Sequence, residues 1–137
     1  MTWIANNIRW IMIVSGVLTA TMIYAAIAPD AALRSMFGET VAGPLAHILA
    51  RNWGALIALV GAMLIYGAFD PPGRPFILIV AGISKAFFVA LVLTEGRQYL
   101  GQQVGVAVVT DSLMIALFLC CLLAGRVTKR PAPAATV

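Results

Sequence analysis

The chain has 137 residues, of which 62% are hydrophobic and only 10% are charged, and its mean hydropathy is +0.99. Soluble domains are about half apolar and about a quarter charged, and a domain this small has too little interior to hide such an excess of apolar surface. The composition therefore predicts an integral membrane protein. The formal net charge of +4 favours contact with anionic membrane lipids, and no basic run with interleaved aromatic residues indicates nucleic acid as a partner.

Four apolar blocks follow one another along the chain, over approximately 8–28, 44–69, 75–95 and 104–125. Each is close to the roughly 20 residues that cross about 30 Å of hydrocarbon, and lipid forces backbone polar groups to be satisfied within their own segment. Short connections after the second and third blocks make neighbouring spans antiparallel. The sequence predicts an all-α membrane protein, a single four-helix antiparallel bundle over residues 1–130, with a disordered tail over 131–137.

Basic residues predict the orientation of this bundle. An even number of spans places both termini on one side, and that side carries the larger share of the basic residues. Cytoplasmic connections are enriched in such residues, so we predict cytoplasmic termini, in a bacterial inner membrane. A cleaved signal peptide is the alternative for the first block, because Ala26-Ile27-Ala28 is similar to a small-residue cleavage site. The terminal side carries Arg9, Arg74, Arg126, Lys129 and Arg130, and the other side carries Arg34, Arg51 and Arg97.

The connection over residues 29–43 is too long for a tight turn. Its apolar residues, among them Leu33, Met36 and Phe37, predict one short interfacial helix that keeps Arg34 among the lipid head groups and ends at Gly38. An ordered loop with no binding role is the alternative.

Small residues recur at helical spacing on one side of the second span and of the third. Membrane helices associate where small residues let their backbones approach closely. We predict that these two faces hold the helices of one chain together, and an oligomer interface is the alternative that the sequence leaves open. The residues are Gly54, Ala58, Gly61 and Ala62 in the second span, and Gly82, Ala86 and Ala90 in the third.

A lysine, Lys85, lies in the middle of the third apolar block. A lysine at the centre of a bilayer costs about 2.5–3.5 kcal/mol on insertion scales, so it normally faces the bundle interior and has a partner. Asp111 is the only acidic residue well inside any block. At 1.5 Å per residue, the two alpha carbons lie roughly 13 Å and 10 Å below the same membrane boundary. We therefore predict an ion pair between Lys85 and Asp111.

Further polar residues are expected at the same depth, in the outer half of the membrane. His47 and Arg51 of the second span are four residues apart and therefore share a helix face. The first span reaches the same depth near its end. We predict one polar layer at this depth, and a ligand-binding site is one hypothesis for its role. The predicted site residues are Thr21, Tyr24, His47, Arg51, Asn52, Lys85 and Asp111.

Three interpretations of this polar layer stay open: a structural network that fixes helix rotation, a cavity for a ligand, and a path for protons or ions. The charges favour the ligand over the path. Arg51 and Lys85 are positive and Asp111 is negative, which leaves one positive charge that is costly to bury alone. An anionic lipid or a small carboxylate would compensate that charge.

No residue pattern in the sequence indicates catalysis or a bound metal. A single histidine excludes bis-histidine haem ligation within one chain and argues against a zinc site. Cys120 and Cys121 are adjacent and match neither a CxxC motif nor a metal-ligand spacing, so they are interpreted as packing residues. We predict a protein without a cofactor or catalytic residues. It is either a non-enzymatic accessory or assembly subunit, or a binding or transport protein for an anionic lipid or small carboxylate.

Two stretches carry a resemblance to a known family. They are "PDAALRSMFGE" after the first span and "RNWGALIALVGAMLIYGAFDPPGRP" in and after the second. A proline-led loop ending in Phe-Gly, an Arg-x-Trp-Gly entry to the second helix and a Pro/Arg turn together resemble small bacterial four-helix membrane proteins described as DoxX-like. The resemblance implies a membrane accessory role, in some members beside quinone-linked oxidoreductases. It offers no agreed catalytic residues to carry over. Independently of the resemblance, the partners we expect are membrane lipids and either a larger membrane complex or a second copy of the chain.

Overall fold

The computed structural model describes residues 2–128, and the side chains of residues 3–126. The predicted tail, Lys129 and Arg130 lie outside the described residues. Six α-helices and one short 3-10 turn form the described chain. The helices are α1 (Thr2–Ala20), α2 (Ile23–Ile27), α3 (Pro29–Phe37), α4 (Pro44–Gly67), α5 (Arg74–Glu95) and α6 (Gln103–Thr128), and the 3-10 turn is Arg97–Tyr99.

Four helical segments of the described chain are long and apolar enough to cross a membrane: Trp3–Ile27, Pro44–Gly67, Arg74–Glu95 and Gln103–Arg126. These segments confirm the prediction of an all-α bundle with four spans. The first span begins a few residues before the predicted start and is divided by a turn into α1 and α2. By the length and hydropathy of its helices, the protein is a small integral membrane protein.

The four spans pack as a closed ring of neighbours. Helices α1 and α2 pack against α4, α5 packs against α6, and the ring is completed by contacts of α1 with α6 and of α4 with α5. Helix α3 contacts α4 and α6 at one end of the bundle. We call the end that carries α3 and the 3-10 turn the α3 side. The opposite end, which carries the start of α1 and the α4–α5 turn, is called the terminal side.

The connection after the first span contains the predicted short helix. Helix α3 begins with Pro29, whose missing N–H costs nothing at a first helical position. It ends at Gly38, which adopts a left-handed conformation with φ of 77°. Glycine takes this conformation without steric penalty, and it is the usual end of a helix. The helix is therefore confirmed over the loop alternative.

Glycine residues let the backbone of α4 lie against the backbones of α1 and α2. A Cβ atom placed on Gly61 would lie 2.5 Å from the nitrogen of Ala20 and 2.7 Å from the carbonyl oxygen of Gly16. A Cβ atom on Gly54 would lie 2.7 Å from the nitrogen of Ala26. Gly54 and Gly61 of the predicted small-residue face therefore hold the helices of one chain together, as expected, whereas Ala62 is exposed.

The small-residue face of the third predicted span points away from the bundle. A Cβ atom added to Gly82 would meet no atom within 4 Å, and Ala86 and Ala90 are exposed. The prediction that this face also holds the four helices together is wrong. The reason is the rotation of α5, which turns Ile77, Ala81 and Lys85 inward instead.

The hydrophobic core is divided into two clusters by the ion pair. On the terminal side, a cluster joins all four spans, and on the α3 side a smaller cluster joins α3, α5, the 3-10 turn and α6. The first contains Met12, Leu64, Ala68, Ile77, Leu78, Ala81, Met114, Phe118 and Cys121. The second contains Val92, Val104 and Val108, with Phe37, Phe88, Val89 and Tyr99 packed against them.

Candidate functional site

The predicted ion pair is present between α5 and α6. The Nζ atom of Lys85 lies 2.5 Å from Oδ1 of Asp111 and donates a hydrogen bond to it. Lys85 is only 6% exposed. Both residues lie between the two hydrophobic clusters, where the long lysine side chain bridges the gap between the neighbouring helices. The prediction of the pair is confirmed.

A cavity of about 490 Å³ lies beside this pair. All four spans contribute to its walls, and Met36 of α3 contributes from the α3 side. Binding sites for small molecules are mostly clefts of about 300–1,000 Å³ with apolar walls and a few placed polar groups. The cavity has this size and this composition.

One wall of the cavity is formed by a single face of α4. Trp53, Ile57 and Val60 are spaced by four and three residues, so they point in one direction from the helix. Phe88 of α5 and Met114 of α6 extend the apolar surface. These side chains form a mostly apolar wall that is suited to an apolar chain.

Polar groups concentrate around the ion pair. An ammonium group has three N–H donors, and Asp111 accepts from one of those of Lys85, which leaves two for another molecule. Ser84 also lines the cavity, and its hydroxyl makes no hydrogen bond within the described part of the chain. The hydroxyls of Thr19 and Thr110 donate to the carbonyl oxygens of Ser15 and Val106, so their own oxygens stay able to accept.

The turn between α1 and α2 forms a further part of the wall. Thr21 and Met22 lie in this turn and line the cavity. The Thr21 hydroxyl donates to the carbonyl oxygen of Leu18 at 2.6 Å, and such bonds from a threonine back to its own helix bend the helix. The nitrogen of Met22 donates to the carbonyl oxygen of Thr19 at 3.2 Å, which is a 3-10 spacing. Local hydrogen bonding thus turns the first span at the level of the cavity.

Four of the predicted site residues lie elsewhere. His47 lies 2.9 Å from the carboxylate of Asp30, and this contact joins α4 to α3. Arg51 donates to the carbonyl oxygen of Ala26 at 3.0 Å and joins α4 to the end of α2. Asn52 and Tyr24 are exposed. Of the predicted site residues, the cavity brings together only Thr21, Lys85 and Asp111.

The separation of Arg51 from the cavity changes the charge balance that was expected. His47 and Arg51 do share a face of α4, but that face is directed at α2 and α3, whereas the face with Trp53 lines the cavity. The two charged residues that line the cavity, Lys85 and Asp111, cancel. The excess positive charge inferred from the sequence is therefore absent from the cavity wall.

Sequence reasoning missed the contributions of Trp53, Ser84 and Gln103 to the cavity. Trp53 begins a line of large apolar residues along α4, and Ser84 precedes the buried lysine directly. The apolar line along α4 and the position of Ser84 beside Lys85 can both be read from the sequence. The role of Gln103 depends on the position of α3, because the Ser35 hydroxyl donates to its Oε1 atom at 2.7 Å.

Helix α3 closes the cavity at the α3 side of the bundle. Phe37 packs edge-on against Tyr99, with ring centroids 5.4 Å apart, and lies 6.3 Å from the ring of Trp53. The Tyr99 hydroxyl donates to the carboxylate of Glu39 at 3.2 Å. These contacts fix α3 over the bundle end.

The structure offers no arrangement for metal binding within residues 2–128, where no group of three or more histidine, cysteine or acidic residues could hold an ion. Comparison of the chain with protein-family models, curated proteins and solved structures finds no match. The DoxX-like resemblance therefore stays a prediction, and the site is interpreted from its own geometry.

Proposed function

We propose that this membrane protein binds a lipid-like small molecule in the cavity between its four spans. One observation carries the proposal: a buried lysine with uncommitted hydrogen-bond donors faces a cavity of about 490 Å³. A pair that served only to fix the helices would have side chains packed around it. Here the pair supplies the polar end of a mostly apolar space.

The wall chemistry favours an amphiphile with an uncharged, oxygen-bearing head group. The charges of Lys85 and Asp111 cancel, so an anion would bring an uncompensated negative charge into a low-dielectric site. A hydroxyl or carbonyl oxygen can accept from Lys85 without adding charge, and a hydroxyl can also donate to Asp111. The anionic lipid or small carboxylate expected from the sequence is the alternative, and the experiment below distinguishes the two.

We expect brominated dodecanol to quench the fluorescence of Trp53 saturably when the protein is held in lipid nanodiscs. Bromine quenches tryptophan on close approach, and Trp53 lines the cavity. The measurement uses a Trp3→Phe/Trp10→Phe background, in which Trp53 is the only tryptophan. Both replaced residues are exposed, so this background should fold normally.

Two matched variants in α6 control this measurement. Ala107→Phe places a ring in the cavity and should remove the saturable quenching, whereas Ala116→Phe adds the same ring at an exposed position away from it and should not. Equal quenching in both variants would refute binding in the cavity. Saturation by brominated dodecanoate but not by the alcohol would assign an anionic head group. Brominated dodecane, which has no head group, should show only unsaturable quenching from the bilayer.

A role as an accessory or assembly subunit is the second candidate. The observation that favours it is the outward face of α5, where Gly82 has open space around it and Ala86 and Ala90 are exposed. A face of small residues permits close approach by a helix of another chain or of a second copy. Absence of saturable quenching by every probe would favour this candidate over ligand binding.

We also propose that both termini are cytoplasmic, in a bacterial inner membrane. The support is the excess of basic residues on the terminal side. Reporter fusions after Gly125 should be active in the cytoplasm, and fusions within the 39–43 loop should be active in the periplasm. A periplasmic signal from the fusion after Gly125 would reverse the assigned orientation.

A further inference from the structure

We propose that the ligand enters and leaves the cavity sideways, directly from the bilayer, through an opening between α1 and α6. This inference rests on the proposed binding function and adds its route. It identifies the ligand class as molecules dissolved in the membrane, because a route through lipid is closed to a water-soluble compound.

The exposure of the cavity-lining residues locates the opening. Only four of these residues are exposed, and all four come from the end of the first span or from the first half of α6. Leu18 is 50% exposed and Val106 is 69% exposed, and they face lipid while also bordering the cavity. Thr21 and Gln103 are the other two. The cavity therefore reaches the surface along the α1–α6 boundary.

The other walls of the cavity are less exposed than the α1–α6 boundary. None of the cavity-lining residues of α4 and α5 is exposed: Trp53 and Phe88 are half-buried, and Lys85 is buried. Met36 lies over the α3 side, where the hydrogen bond from Ser35 to Gln103 ties α3 to α6. An aqueous route would have to pass α3, whereas the lipid route passes the exposed apolar side chains of Leu18 and Val106.

The position of the opening also orients the ligand. Val106 lies about one helical turn from Gln103, so the opening extends from the end of α6 into the apolar part of the span. Lys85 and Asp111 are the more buried part of the cavity wall, with side chains 7% and 17% exposed, whereas Leu18 and Val106 at the rim are exposed. An amphiphile in the adjacent lipid therefore enters with its head group first and keeps its chain towards the rim.

The test measures how fast bound bromododecanol leaves the cavity. Nanodiscs that contain the single-tryptophan protein and the probe are mixed with an excess of probe-free vesicles, and recovery of Trp53 fluorescence is followed by stopped flow. Leu18→Phe and Val106→Phe place larger side chains at the opening and narrow it. Each should slow the recovery of fluorescence about tenfold, equivalent to about 1.4 kcal/mol in activation free energy. Two variants at the rim guard against a folding defect in either one.

Neighbouring positions provide matched controls. Val17 is 52% exposed and Val109 is 70% exposed, yet neither borders the cavity. Val17→Phe and Val109→Phe should not change the rate of fluorescence recovery relative to the parent, which is the single-tryptophan protein. If the parent binds the probe saturably and all four variants recover at the parent rate, the lateral route is wrong and the binding function stands. If the parent does not bind, both proposals fall together.

Discussion

Replacing Lys85 by Met, or Asp111 by Asn, is expected to lower the free energy of unfolding by about 3–5 kcal/mol. Either change leaves the remaining charge in a low-dielectric interior without its partner. Lys85 is 6% exposed, so removal of Asp111 leaves its ammonium group buried without its acidic partner. Equilibrium unfolding in mixed detergent micelles would measure the loss. The expected loss is large because it includes the free energy of desolvating one unpaired charge. That cost exceeds the net stabilisation that the ion pair provides.

The double variant Lys85→Met/Asp111→Asn should recover much of that loss. Replacing both members of a buried pair leaves no stranded charge and is often nearly neutral. The pair of Asp30 with His47 is the matched control, because both of its side chains are substantially exposed. Asp30→Asn should change stability by about 0–1 kcal/mol only. If the double variant shows the sum of the two single losses, Lys85 and Asp111 do not interact in the membrane.

This cycle also separates the structural interpretation of the pair from the binding interpretation. The double variant should fold, since it buries no charge, but it lacks the donors of Lys85 that the head group would use. Saturable quenching of Trp53 by bromododecanol should therefore be lost in a protein of near-normal stability. Retained binding would show that the ligand does not use the pair.

The second large effect is expected at Gly61. Gly61→Ala should lower the free energy of unfolding by about 1–3 kcal/mol, the usual range for overpacking, and Gly61→Leu should lower it further. The added Cβ atom would lie 2.5 Å from the backbone nitrogen of Ala20, and a backbone atom cannot rotate away as a side chain can. Helices α1 and α4 would have to separate along their whole contact.

Gly82→Ala is the control for this prediction. It makes the same chemical change in the middle of another span, where the added atom meets nothing within 4 Å. Alanine is favoured over glycine within a helix by up to about 1 kcal/mol, so this variant should be neutral or slightly more stable. A comparable loss from both glycines would contradict the close approach of α1 and α4. Unfolding followed by circular dichroism would compare the two variants.

The number of spans and the Lys85–Asp111 pair could be predicted from the sequence because both follow from the energetic cost of polar groups in lipid. Hydropathy defines the spans, and depth along two helices brings the opposite charges of Lys85 and Asp111 together. The rotation of each helix could not be predicted in the same way. Most of the surface of each span is apolar, so hydropathy gives little information about which face points inward. For this reason the sequence misplaced His47 and Arg51 and misassigned the Gly82 face.

The division of the core makes the two ends of the bundle unequal. The terminal cluster joins all four spans, as Met12, Leu64, Leu78 and Phe118 show. Towards α3 the valine cluster joins α5 to α6 but contains no residue of α1 or α4. At the α3 side the two helix pairs are instead linked through α3, whose Asp30 contacts His47 of α4 and whose Ser35 donates to Gln103 of α6. We expect these two contacts to limit how far α1 can separate from α6 beside the cavity, so that weakening either contact widens the passage.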